Sequence, residues 1–251
     1  MAVNSTAIEI QHLGFTYPGQ SEKSLSNISL SIKSGERFGL FGQNGAGKTT
    51  LMSCMTGLLA AQEGHITVFG HSLKNNLKEI KKFIGFVPQD FAFYQELTAS
   101  ENLEFFGAMA GMNRPAVKKK TEELVEILEL DDYKQVRQLS GGMKRRVNLA
   151  IGVMHQPRIL FLDEPTVGVD VLTRQAIMTY LKKLNEDGTT LVYTSHQLSE
   201  AEELCETIAL MHEGQIIAHD SLTQLLDQHK EKELEGLFIS LTGKEYSREN
   251  G

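Results

Sequence analysis

Gly42-Gln43-Asn44-Gly45-Ala46-Gly47-Lys48-Thr49 is the stretch from which the fold of this chain is read. Gly42 and Gly47 have four residues between them and are followed by Lys and Thr, the spacing of a phosphate-binding loop. The preceding Arg37-Phe38-Gly39-Leu40-Phe41 reads as a short buried strand, and Thr50-Leu51-Met52-Ser53-Cys54-Met55 can run as a helix. A strand that delivers the loop to a sheet edge, and a helix that receives it, are the context such a loop needs. Its glycines lack Cβ, so successive backbone N–H groups can converge on an anion. The helix start adds roughly +0.5 of a charge at the same point. Residues Gly42, Asn44, Gly45, Ala46, Gly47 and Thr50 are therefore expected to line a nucleotide's phosphates. Lys48 would reach the β- and γ-phosphates, and the Thr49 hydroxyl would ligate Mg²⁺.

Upstream, Ile8, Ile10 and Leu13 alternate with polar residues, as do Ile28, Leu30 and Ile32, which predicts antiparallel strands with one solvated face. Tyr17 closes the first of them. Its ring can stack on adenine or serve as a half-buried strand aromatic, and the residues alone leave both open. Downstream, residues 64–70 and 84–87 read as strands, the latter stopping at Pro88-Gln89-Asp90. The texture then changes. Thr98-Ala99-Ser100-Glu101 is a capping box opening a helix through Met109. A further helix from Pro115 carries Val117, Thr121, Leu124, Val125 and Leu128 on one face. Residues 90–155 thus form a helical insertion in a strand-rich core.

Residues 158–162, Arg-Ile-Leu-Phe-Leu, are the near-continuous apolar run of a central parallel strand. It ends in Asp163-Glu164, at the strand end where ligands of parallel sheets bind. Asp163 is the expected Mg²⁺ partner through water, and Glu164 can act as general base on an attacking water. Gln89 and His196 follow short strands of the same sheet and should reach the same edge. There Gln89 can bond the metal or water, and His196 the γ-phosphate. Leu139-Ser140-Gly141-Gly142-Met143 opens another helix, with Ser140 as N-cap and two glycines exposing N–H groups. This second anion site lies too far off to close on the same nucleotide. Two copies placed head to tail would set each such helix start over the other's phosphate loop.

The 251 residues suit one large domain, and a net charge of −7 argues against a chain held mainly by nucleic-acid backbone. Cys54 and Cys205 are the only cysteines, and they read as reduced buried thiols of a reducing cytoplasm. No secretory pattern opens the sequence and no apolar run is long enough to cross a bilayer. A membrane role would need another chain as anchor.

In family order, these motifs resemble those of ATP-binding subunits of ABC transporters, over about Ile8 to Leu225. Residues 42–49 resemble the Walker A loop, Gln89 the Q-loop glutamine, and residues 139–142 the signature sequence. Residues 159–163 with Glu164 resemble Walker B and its catalytic glutamate, residues 167–170 the D-loop ending in Asp170, and His196 the switch histidine. Tyr17 takes the place of the adenine-stacking aromatic. The usual signature Gln is Met143 here, which removes one side-chain hydrogen bond to the facing nucleotide.

The resemblance implies an α/β fold: a P-loop NTPase core of the ABC type with a mostly parallel sheet, an antiparallel β subdomain and an inserted α-helical subdomain. Residues 1–225 would form the ATPase domain (core 1–89 and 156–225, helical subdomain 90–155), and 226–251 a short charged tail. It implies ATP and Mg²⁺ as ligands, with Glu164, His196 and Lys48 catalytic, and Ser140, Gly141, Gly142 and Asp170 at the facing nucleotide. It implies two partners, a second copy and an integral-membrane subunit on a separate chain, and hence a cytoplasmic protein at the inner face of the membrane. The motif set is similar to the branch exporting drugs, antibiotics or related hydrophobic substrates. The aromatic run Phe91, Phe93, Tyr94 is a candidate dock for the membrane subunit, while Phe105 and Phe106 on the next helix stay open to both readings, dock or core of the helical subdomain. Two other readings stay open: a soluble ATPase acting on ribosomes or DNA, and a non-catalytic nucleotide-gated module.

Overall fold

Period-two alternation builds the first layer. In β1 (Thr6–Phe15) and β2 (Leu25–Lys33), Ile8, Ile10, Leu13, Ile28, Leu30 and Ile32 are buried while Glu9, Ser29 and Ser31 face water. The computed structural model describes residues 5–195 and 197–243. β1 pairs antiparallel with β2 and with β4 (Glu63–Val68), and the two-residue β5 (His71–Ser72) closes the edge.

The second sheet holds β3 (Arg37–Phe41), β6 (Ile84–Val87), β7 (Ile159–Asp163), β8 (Thr190–Thr194), β9 (Thr207–His212) and β10 (Gln215–Ser221). Their spatial order is β10-β9-β3-β8-β7-β6, parallel throughout except for β10, which forms a hairpin with β9. β7 shows why its sequence is continuously apolar. Ile159 and Phe161 enter the core shared with α1 (Lys48–Met55) and the antiparallel sheet. Leu160 and Leu162 enter a second core formed with the helices on the opposite face. Burying each such side chain stabilises by about 1.5–3 kcal/mol.

Helices α3 (Ala99–Met109), α4 (Arg114–Ile127) and α5 (Gly141–Val153) occupy the expected insertion. The Thr98–Glu101 capping box is present, and Asn113 caps α4 by accepting from Ala116 N–H, 3.0 Å. α6 (Val171–Glu186) and α7 (Leu198–Leu204) follow β7 and β8. Both cysteines are buried thiols, and burial pushes that of Cys54 up to about 11.

One sequence reading needs correction. Residues 226–251 were expected as a charged tail, yet α8 (Leu222–His229) and α9 (Leu234–Thr242) carry the chain back onto the fold. Leu234, Leu237 and Phe238 are fully buried in the helical-face core, and Leu234 N–H donates to Glu202 Oε1 at 2.7 Å. The apolar triplet finds its partners on α7 and α8, which no local pattern reveals. Of the two readings open for Phe105, the structure does not bear out the core one. Phe105 is 39 % exposed and meets Tyr94 edge-on, 4.9 Å between ring centres. The sequence reading also lacked α2 (Leu73–Ile80). Among the described residues no helix is long and apolar enough to cross a membrane.

Candidate nucleotide site

The loop leaves β3 at Gly42, where a Cβ would stand 2.3 Å from the carbonyl oxygen of Met211 on β9, so only glycine passes that close. Gly47 is the N-cap of α1 in a left-handed conformation, φ 102°, and a Cβ there would meet Ser24 O at 2.9 Å. These two constraints aim the N-terminus of α1 into an open cleft of about 740 Å³. Tyr17, Asn44, Gly45, Gly47, Lys48, Thr49, Thr50, Gln89 and Glu164 all line it, joined by Gln20, Ser24 and Val167. Ala46 is buried within the loop. The Lys48 ammonium donates to the carbonyls of Gly42 (2.7 Å) and Gln43 (3.2 Å). Burial lowers its pKa, and the nearby carboxylates of Glu164 and Asp163 act in the opposite direction.

The acidic side of the cleft is set by strand register. β7 and β8 pair Asp163 with Thr194, and Thr194 Oγ1 donates to Asp163 Oδ1 at 2.7 Å. From the loop side, Thr49 Oγ1 donates to Asp163 Oδ2 at 3.4 Å. Glu164 then turns the chain at φ 49°, a left-handed conformation uncommon outside glycine. Its N–H donates to Thr194 O and Oγ1, both at 3.2 Å, and Gln89 Nε2 donates to its Oε2 at 3.3 Å. Tyr17 sits across the cleft, half-exposed, with its hydroxyl 3.2 Å from Thr50 Oγ1 and its ring edge-on to Phe15.

Thr49, Asp163 and Gln89 offer oxygen donors, the hard ligands that suit Mg²⁺. Among the described residues no three His, Cys, Asp or Glu side chains gather into a metal cage. The donor set therefore fits an ion that completes its shell with phosphate oxygens and water.

The second helix start is built differently. Ser140 Oγ caps α5 by accepting from Met143 N–H at 3.2 Å. Gly141 is exposed with open space where its Cβ would be, while Gly142 packs against Thr173. Asp170 caps α6 through Thr173 N–H (2.9 Å) and Oγ1 (2.7 Å), and these bonds hold its carboxyl below the usual range. Ser140, Gly141, Gly142 and Asp170 thus share one face, and none lines the cleft of its own chain. His196 lies outside the described residues.

Sequence reasoning missed two residues here. Thr194 bonds both acidic residues, and the β7–β8 register would have exposed it. Arg145, 8 % exposed, ties α5 to two loops: it donates through Nη1 to Gln89 O and through Nε to Val167 O (3.4 Å), with its guanidinium 4.8 Å from the Phe91 ring centre. Burial lowers the Arg145 pKa, against Asp90 and Glu164.

Comparison with known proteins gives a matching family model, described as "ABC transporter", over residues 25–167. The chain is 43 % identical over 203 residues to the linearmycin resistance ATP-binding protein LnrL of Bacillus subtilis (strain 168). That match covers 80 % of this chain and 65 % of LnrL. It is 33 % identical to the ABC transporter ATP-binding protein NatA of the same organism, covering 87 % of this chain and 90 % of NatA. Among solved structures, the ATP-binding cassette MJ0796, described as a dimer in a post-hydrolysis state bound to ADP and Pi, is 30 % identical with a TM-score of 0.78. The likeness covers 86 % of this chain and 98 % of that one.

Proposed function

The chain belongs to the ABC transporter ATP-binding family, and from that premise we propose that it is the ATP-hydrolysing subunit of an exporter. One observation carries the reading: a phosphate loop, a hydroxyl–carboxylate pair and a second carboxylate meet in a single cleft. Thr49 and Asp163 stand 3.4 Å apart, and Glu164 lies beside Gln89 at 3.3 Å. ATP would lie with its triphosphate on the start of α1 and its adenine against Tyr17. Lys48 stabilises charge on the transferring phosphoryl group. Mg²⁺, held by Thr49, Asp163 and Gln89, would neutralise phosphate charge there. Glu164 orients the attacking water and takes its proton.

Ser140, Gly141, Gly142 and Asp170 do not line this cleft, so the reading assigns them to the nucleotide of a second copy. Their exposure on one face supports that assignment, as does the dimeric relative. His196, next to the end of β8, is assigned to the γ-phosphate. Tyr94 and Phe105, in edge-on contact, expose 48 % and 39 % of their surface, and Phe91 exposes 38 %. An apolar patch of this kind marks an interaction site, here for a membrane-embedded partner that holds the chain at the cytoplasmic face. Drugs, antibiotics or related hydrophobic molecules are the substrate class, by likeness to the linearmycin resistance protein.

Purified protein should hydrolyse ATP, and Glu164→Gln should keep ATP binding while slowing turnover by roughly 10²–10⁴-fold. Hydrolysis by Glu164→Gln at the wild-type rate would remove Glu164 as the base. Capture of a polytopic membrane protein from a detergent extract supports the transport reading, and capture of ribosomes or DNA overturns it.

A further inference from the structure

Behind the cleft, and unused in the mechanism so far, lies a buried carboxylate. Glu200 on α7 is 1 % exposed, and one of its oxygens, Oε2, accepts three hydroxyls. They come from Thr166 Oγ1 (2.8 Å), Tyr193 Oη (2.7 Å) and Ser195 Oγ (2.9 Å). Thr166 and Tyr193 also meet each other at 3.1 Å. The other oxygen, Oε1, has no hydrogen bond among the described residues and stands 3.8 Å from Arg174 Nε. Burying a carboxylate costs several kcal/mol unless donors replace water. Three donors on a charged acceptor supply that replacement and make a stiff joint.

The donors come from the two loops that carry the chemistry. Thr166 lies two residues after Glu164, and Tyr193 and Ser195 flank Thr194 immediately before His196. Glu164 stands between two anchors. Its own N–H is held by Thr194, and the turn after it, closed by Val167 N–H on Glu164 O at 3.3 Å, is held by Thr166 on Glu200. A glutamate kept at φ 49° needs such bracing, because the left-handed conformation is not its own preference.

We propose that Glu200 is a positioning residue that fixes the Glu164 loop against the loop leaving β8, setting the geometry of the attacking water without touching nucleotide. The proposal rests on Glu164 acting as the base. Release of the joint lets the carboxylate wander while the phosphate loop, which leaves β3 to enter α1 on the opposite face of the sheet from α7, keeps its shape. Turnover is therefore lost and ATP affinity is not.

The experiment measures kcat, KM for ATP, equilibrium ATP binding and thermal melting of the full chain for Glu200→Ala, Glu200→Gln, Thr166→Val and Glu164→Gln. Glu200→Ala and Thr166→Val should each lower kcat by about 10- to 100-fold with KM and ATP binding within about threefold of wild type. Glu200→Gln keeps a carbonyl acceptor for the three hydroxyls and should restore kcat to within about fivefold. The double variant Glu200→Ala/Thr166→Val should be no slower than Glu200→Ala alone, since both cut one joint. Wild-type kcat in Thr166→Val and Glu200→Ala overturns the proposal. So does a loss that falls equally on ATP binding and is not rescued by Gln. If Glu200→Ala does not fold, Thr166→Val decides alone. Glu164→Gln separates the two levels. Full activity in that variant sinks the base assignment, whereas its loss beside an active Thr166→Val sinks only the joint.

Discussion

Two helices of this chain begin after glycines, and they are not equivalent. α1 starts at Gly47 inside a walled cleft, with Lys48, Thr49, Asp163 and Glu164 around its first turn. α5 starts at Ser140 in the open: its cap satisfies one N–H, and Gly141 faces empty space. Helix starts attract anions wherever they occur. The difference teaches that attraction becomes a reaction site only where counter-charges and a shaped wall are supplied. α1 has them within its own chain; on the proposed reading, α5 borrows them from a second copy.

The largest expected effect breaks the self-sufficient half. Lys48→Ala removes a buried ammonium whose pKa burial lowers and whose charge the two carboxylates favour. Turnover should fall by about 10³-fold and ATP binding by at least about tenfold, read by phosphate release and nucleotide titration. Unchanged ATP affinity would mean that the loop backbone alone does the binding, and the contrast with α5 would weaken.

The second effect addresses the borrowing half. At Gly141 a new side chain meets nothing within 4 Å, so Gly141→Asp should leave the fold and the chain's own cleft intact. Its charge would point at the triphosphate of a facing copy. ATP binding by the single chain should stay within about threefold, while turnover and ATP-driven dimerisation fall by about 10²-fold. Light scattering with ATP on a Glu164→Gln background reads the dimer. A variant that still dimerises and hydrolyses normally would show α5 to be an ordinary capped helix.

Legibility in the sequence follows the same division. The loop, β7 with Asp163-Glu164, and the Ser140 cap were readable because spacing and local periodicity specify them. Residues whose role depends on a neighbouring strand or helix were not. Thr194 matters through its register with Asp163, and Arg145 through the carbonyl of Gln89, 56 residues earlier. α2 was hidden by a break in its own geometry, since Asn76 has non-helical angles, φ −122° and ψ 24°. α9 is a short apolar stretch among charges, and only its burial against α7 and α8 gives it meaning.

The smallest expected effect sharpens the picture of the borrowed site. Met143 stands at the first turn of α5, where the family's usual residue is Gln, and its N–H is already taken by Ser140 Oγ. If the facing nucleotide is held by Ser140 and backbone N–H groups, restoring an amide adds one hydrogen bond to an existing set. A bond of that kind contributes about 0.5–1.5 kcal/mol net. Met143→Gln should thus lower the ATP concentration for half-maximal dimerisation by about two- to tenfold, with kcat nearly unchanged because Glu164 and its supports are untouched. A far larger gain would mean that the α5 start had been nearly idle, leaving α1 as the chain's single working anion site.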